Sequence, residues 1–193
     1  MTTLTCSEIA DDMIPDKGVV VFDWDNTLKI YDKSSRTIFP RVTRDRLIKW
    51  KQEKQCDMYI ISAIRPSKIN LDTILFEVNK LGLLDIFSKE SDTIECKPDR
   101  YARKGNVVIC GYDKAETFLM LRQIQTLPVK TDNPTTPTSP YSADSVCLAS
   151  SDDEIDGVAE DTPDKNVVFF DDEEPNIVNF SAIVKGSVCY LVT

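Results

Sequence analysis

Histidine is absent from all 193 residues of this chain. Its absence removes Ser-His-Asp and Cys-His nucleophilic chemistry and any histidine general base. An enzyme of this composition must move protons with carboxylates, lysine or tyrosine. Six cysteines are present (Cys6, Cys56, Cys96, Cys110, Cys147 and Cys189), and none forms Cys-X-X-Cys. That spacing, with no histidine to help, argues against a zinc site. Cys110 and Cys189 lie in apolar, strand-like runs and read as core residues. No apolar run reaches the roughly 18 residues of a membrane span. The N-terminus from Met1 to Lys17 is polar and acidic and lacks the charged and apolar regions of a signal peptide. These absences predict an intracellular protein, cytoplasmic or nuclear, with no membrane association and no disulfide framework.

Positive charge is missing from one stretch. Residues 131–164 hold nine acids and no Lys or Arg, so they account for the whole net charge of −9. They also hold Pro134, Pro137, Pro140 and Pro163, many Ser and Thr, and little apolar periodicity. Such a segment cannot bury enough surface to offset its ordering entropy. Residues 130–164 are therefore predicted to be a disordered acidic insertion. Its bland role is a tolerated spacer; its regulatory role would use Thr136-Pro137, Ser139-Pro140 and Thr162-Pro163 as kinase sites. The acidity argues against a nucleic-acid partner.

What the chain does have is a repeated design. Val19-Val20-Val21-Phe22 reads as a strand buried on both faces, and it stops at Asp23 and Asp25. Val167-Val168-Phe169-Phe170 is a second such run, stopping at Asp171 and Asp172. Parallel strands put their carboxyl ends on one edge, so two such strands bring four carboxylates together. Acids that close repel one another unless a cation neutralises them, and hard oxygen ligands favour Mg²⁺.

Asp23-Trp24-Asp25-Asn26-Thr27-Leu28 resembles the first motif, Asp-X-Asp-X-Thr, of the haloacid dehalogenase-like phosphatase superfamily. Ile60-Ile61-Ser62 resembles the second motif, Lys114 the third, and Phe169-Phe170-Asp171-Asp172-Glu173 the fourth, all in the family's order. The Phe-Phe-Asp-Asp-Glu-X-X-Asn-Ile string is most similar to the magnesium-dependent phosphatases of eukaryotes, and the family resemblance as a whole covers residues 17–125 and 165–193. Trp24 is bulky for its place between the acids, and the insertion is long.

The resemblance implies a hydrolase that takes phosphate from a phosphomonoester through an aspartyl-phosphate. Asp23 would be the nucleophile and Asp25 the acid and then the base, with its backbone carbonyl also a metal ligand. Mg²⁺ would be held by Asp23, Asp25 and Asp172, with Asp171 close by. Ser62, Asn26 and Lys114 would contact the phosphate, and Thr27 would hold the loop's backbone. Lys97, followed by proline, competes with Lys114, which is preferred because it opens a strongly periodic helix just after a strand. Arg65, three residues after Ser62, is either a phosphate contact or a solvated loop cation. Glu173 and Glu174 read as charges at a helix start, and Asn176 as a brace for the loop.

The expected architecture is α/β: a three-layer, Rossmann-like parallel sheet with helices on both faces. The segments 28–56 and 63–113 look too short for a large cap, so the open site fits a phosphoprotein or another bulky or small phosphomonoester. Residues 1–16 are expected to be a tail and 17–193 a single domain. Strands are expected at 18–23, 57–62, near Phe87, and at 106–111, 166–171 and 187–192. Helices are expected at 42–54 with Thr43 as cap, at 67–82 with Gly82 as stop, and at 113–125; residues 29–40 read as a loop. The rival readings are a non-catalytic interaction protein built on this fold and a phosphotransferase that shares the aspartyl-phosphate.

Overall fold

The computed structural model describes residues 4–97, 99–111, 113–126 and 166–193, with residues 124–126 described by backbone alone. The predicted insertion at 130–164 lies outside the described residues. The strands are β1 (Leu4–Cys6), β2 (Val19–Phe22), β3 (Lys29–Asp32), β4 (Thr37–Pro40), β5 (Asp57–Ser62), β6 (Ile94–Lys97), β7 (Tyr101–Lys104), β8 (Val107–Ile109), β9 (Val167–Asp171) and β10 (Val188–Val192). The helices are α1 (Arg44–Gln52), α2 (Lys68–Lys80), α3 (Leu84–Phe87), α4 (Lys114–Thr126) and α5 (Glu174–Ile183). No helix among the described residues is long and apolar enough to cross a membrane.

Eight strands form one sheet in the order β1-β10-β9-β2-β5-β8-β7-β6. The pairs from β1 to β8 are parallel, whereas β7 and β6 add on as antiparallel strands. The chain leaves β2 toward β5 and β8, then returns to β9 on the other side of β2. That reversal makes the carboxyl end of β2 a topological switch point, where open α/β sheets bind ligands.

Strand alternation divides the core between the two faces. Val20, Phe22, Met58, Ile60, Val168 and Phe170 pack with Leu47 and Trp50 of α1, Leu71, Ile74 and Val78 of α2, and Phe87 of α3. Val19, Val21, Tyr59, Ile61, Val167 and Phe169 pack with Phe118 and Leu121 of α4 and Ile177 and Phe180 of α5. The consecutive apolar residues of β2 thus serve both faces in turn, as a doubly covered strand requires. Stacked rings tie β2 to β9, Phe22 to Phe170 at 5.6 Å between centroids, and β9 to α5, Phe169 to Phe180 at 4.1 Å.

The helix signals hold with local differences. Ser67 caps α2, its hydroxyl oxygen accepting from the Asn70 N–H at 3.1 Å. Gly82 ends α2 with φ +68°; its N–H donates to Asn79 O at 2.9 Å and that of Leu83 to Val78 O at 3.0 Å, a Schellman stop. Thr43 does sit at the cap of α1, but its side chain makes no capping bond.

Three expectations are corrected. Residues 29–40 are a hairpin, β3 against β4, and not a loop. Its turn is held by Asp32, which accepts from the Ser34 N–H at 2.9 Å, a local bond that the cross-strand pairs Ile30–Phe39 and Tyr31–Ile38 extend into a ladder. The segment ending at Phe87 is helix α3, and the strands come later, as β6 and β7. Charged residues in Ile94–Lys97 and Tyr101–Lys104 hide that pair in a hydrophobicity reading, as suits an edge. Residues 1–16 are not simply a tail, because Leu4–Cys6 add as a parallel edge strand to β10.

Gly18, at the entrance to β2, has no room for a side chain. An added Cβ would lie 2.3 Å from Pro15 Cγ and 2.5 Å from the carbonyl oxygen of Asn166, which accepts the Val19 N–H at 2.8 Å. Gly18→Ala must therefore displace the bond that starts β2. We expect it to lower unfolding stability by about 2 kcal/mol, read by urea denaturation.

Candidate functional site

The two acid-terminated strands are hydrogen-bonded neighbours, with Phe22 opposite Phe170. The Asp23 N–H continues that ladder to Phe170 O at 2.9 Å, which fixes the first carboxylate at the sheet edge. Lys114 enters from the first turn of α4, after β8, and is only 4% exposed. Its ammonium donates to Asp23 Oδ1 and to Asp171 Oδ2, each at 2.6 Å. Asp171, with no exposed surface, uses its other oxygen, Oδ1, to accept from the Glu173 N–H at 2.9 Å and Asn176 Nδ2 at 3.1 Å.

Asp172 is freer. Its Oδ2 accepts from Asn26 Nδ2 at 3.1 Å. One oxygen each of Asp23, Asp171 and Asp172 lies within 4.8 Å of the others, a set able to hold a cation through oxygen. Asp23, Asp25, Asn26, Ser62, Lys114, Asp172, Glu173 and Asn176 are among the residues lining a pocket of about 160 Å³ over this cluster. Ser62 is buried at the end of β5, and among the described residues its hydroxyl has no hydrogen-bond partner. The chain matches no family model, and no curated protein matches it.

Electrostatics follow from burial. Desolvation pushes the Asp23 carboxyl up to about 7, against the opposing pull of the Lys114 charge. Burial by itself would lower the Lys114 ammonium, but Asp23 and Asp171 outweigh it and hold it above its ordinary value. The Cys110 thiol, buried nearby, is pushed up to about 12 and stays protonated.

The expected residues do converge, with three changes of detail. The carboxylate of Asp25 is not in the cluster: it is half-exposed and pairs with Lys29 at 2.5 Å, because Lys29 follows it by four residues on the way into β3. The amide of Asn26, expected on phosphate, is engaged by Asp172; Asn26 sits at φ +55°, a left-handed conformation that asparagine tolerates. Thr27 is fully buried with its hydroxyl unpartnered, so it does not hold the loop by hydrogen bonding. Lys97 is away from the carboxylates, beside Glu95 at 3.3 Å and over the Tyr101 ring, which leaves Lys114 as the lysine of the site.

The loop is instead held by Arg41, which no sequence signal marks. It donates from Nε to Thr27 O at 3.0 Å, from Nη2 to Asn26 O at 2.8 Å and from Nη1 to Ser7 O at 3.1 Å. A second unforeseen group explains the bulky Trp24. Its indole N–H donates to Glu77 Oε2 at 2.8 Å, the carboxylate that also accepts from Lys29 Nζ at 2.8 Å. Glu77 of α2 thereby anchors the lysine that meets Asp25. The Asp25–Lys29 spacing was the one available hint.

Two outcomes are expected of the metal-free protein. Lys114→Met leaves two buried carboxylates without a counter-charge and costs about 3–5 kcal/mol of unfolding stability, measured in EDTA. The Asp23 carboxyl lies above its unfolded value, so its stabilising contribution is complete near pH 4 and is lost as pH rises through about 7. Asp23→Asn removes that loss, so by urea denaturation the variant should exceed the parent in unfolding stability at pH 8 and not at pH 5, by on the order of 2 kcal/mol.

Proposed function

We propose that this protein is a Mg²⁺-dependent phosphomonoester hydrolase of the haloacid dehalogenase-like kind, working through an aspartyl-phosphate on Asp23. The observation that carries the reading is the Lys114 clamp, which holds Asp23 by one oxygen beside Asp172. The motif order supports it, as does the position of all four motifs at the carboxyl edge of one sheet.

Three carboxylates with no sulfur or nitrogen ligand suit a hard cation, so the residues fit Mg²⁺. Asp23 and Asp172 would hold it with the Asp25 carbonyl, because the carboxylate of Asp171 is already taken by Lys114, Glu173 and Asn176. When bound, Mg²⁺ supplies the positive charge that lets an anionic carboxylate approach an anionic phosphate.

Lys114 orients Asp23 through Oδ1, which leaves Oδ2 to attack phosphorus in line as the ester P–O bond breaks. Asp25 gives its proton to the departing oxygen. It then takes a proton from the water that attacks the aspartyl-phosphate, releasing inorganic phosphate and restoring Asp23. The Ser62 hydroxyl donates to a phosphoryl oxygen, and Lys114 offsets its charge. Asn26 and Asn176 act indirectly, by steadying Asp172 and Asp171. The pocket of about 160 Å³ is smaller than the roughly 300–1,000 Å³ of sites that enclose whole ligands. It takes the phosphoryl group and leaves the rest of the substrate outside this pocket, an arrangement that suits a phosphoprotein, another bulky ester or a small one.

The test is para-nitrophenyl phosphate with Mg²⁺, with excess EDTA, and with Asp23→Asn. Turnover is expected only with Mg²⁺ and should fall at least about 1,000-fold in the variant. Phosphate release matching nitrophenol release excludes transfer to another acceptor. Magnesium-dependent turnover that survives Asp23→Asn would falsify the assignment, and no turnover with no Mg²⁺ effect on melting favours the interaction-protein reading.

A further inference from the structure

The carboxylate site leaves Arg65 unused, yet Arg65 borders it. A cleft of about 940 Å³ opens beside the small pocket, and Ala63 lines both. Arg65 reaches this cleft from the loop between β5 and α2, and Arg100 from the turn between β6 and β7. The two meet there for a topological reason. Strand β7 runs antiparallel to β8, so the turn that enters β7 lies at the same sheet edge as Ser62 and Asp23.

Most arginines of this protein are engaged. Arg41 bonds carbonyls, and Arg44, Arg46, Arg103 and Arg122 pair with carboxylates. Arg65 and Arg100 have exposed side chains with no hydrogen bond or ion pair among the described residues. Arg36 shares that state at the tip of the β3–β4 hairpin, away from the cleft. One unpaired surface arginine needs no explanation. Two of them, from separate elements, lining one cleft that adjoins a phosphate-sized pocket, form a place for an anion. Guanidinium forks match carboxylate and phosphate oxygens in pairs.

We propose that this cleft holds the leaving group of the substrate, and that the leaving group carries a second anion, a carboxylate or a phosphate, bound by Arg65 and Arg100. The proposal rests on the phosphatase reading of the adjoining pocket. Asp99, Asp113 and Glu116 also line the cleft. Asp113 is engaged, accepting the Glu116 N–H at 2.9 Å. Carboxylates among the cations disfavour an extended polyanion and favour one compact second charge. Ala63, Pro66 and Met120 offer the apolar surface that a short carbon skeleton would cover.

Phosphonates bind without being hydrolysed, so binding separates from turnover. Propylphosphonate, 3-phosphonopropionate and propane-1,3-bisphosphonate are titrated by calorimetry into the full chain with Mg²⁺. One or both of the doubly anionic probes should bind at least about tenfold tighter than propylphosphonate, and the tighter of the two identifies carboxylate or phosphate as the second group. The preference should shrink to within about twofold in the double variant Arg65→Gln, Arg100→Gln and persist in Arg36→Gln. Equal binding of all three probes, no binding of any, or a preference that survives the double variant overturns the proposal. Para-nitrophenyl phosphate turnover by the same preparation reports on the chemistry alone. A preference without turnover keeps the cleft and removes the phosphatase; turnover without a preference does the reverse.

Discussion

One ammonium group, that of Lys114, makes this site possible. Asp23 and Asp171 stand at the ends of adjacent strands, both nearly or wholly withdrawn from water. Two bare carboxylates in that position would drive each other to protonate or force the strands apart. Lys114 lies between them at 2.6 Å from each, and 91 and 57 residues of chain separate it from the two acids. The interaction therefore exists only if β2, β9 and the start of α4 are all correctly placed. The cluster remains negative even so, because three acids face one lysine. A buried charge cluster is costly to assemble, and under the proposed function that cost has a counterpart in the cation and the anionic substrate the cluster would meet.

The same geometry divides labour between two adjacent acids that are chemically alike. Asp171 is the last residue of β9 and points inward, where Lys114, the Glu173 N–H and the Asn176 amide satisfy it. Asp172 follows on the turn into α5 and keeps one long contact with Asn26. Strand alternation alone sends neighbouring side chains to different surroundings. The pairing of a locked acid with an adaptable one thus needs only that the strand end between them.

The parts of this fold that were legible in sequence are those whose cause is local. Val19–Phe22, Asp57–Ser62 and Val167–Asp171 announce themselves because a strand covered on both faces must be apolar at every position. Gly82 is legible as a stop because only the left-handed conformation completes that helix end. Strand β1 was not legible, since its three residues are strand only by virtue of β10 beside them. Nor were β6 and β7, whose charged residues suit an exposed edge. In the site, the four motifs could be placed in order, but not the groups that hold them. Arg41 acts on backbone carbonyls through tertiary proximity, and an arginine that bonds carbonyls 14 residues away leaves no pattern.

Trp24 shows how such hidden support works. Between two acids that must face the site, a bulky side chain is sent the other way, into the core, where it is fully buried. Its indole N–H then needs an acceptor and finds Glu77. That carboxylate, once anchored, also attracts Lys29, which in turn meets Asp25 at 2.5 Å. A single large residue in the motif thereby links helix α2, the hairpin and the acid proposed to move protons. The final contact is with a half-exposed carboxylate, and ion pairs so close to water are worth only about 0–1 kcal/mol. Asp25 can part from Lys29 at little cost, whereas Asp23, clamped from inside, cannot stray. Burial thus separates the two acids of one motif into a fixed carboxylate and a mobile one, the division that the proposed roles of nucleophile and proton carrier would need.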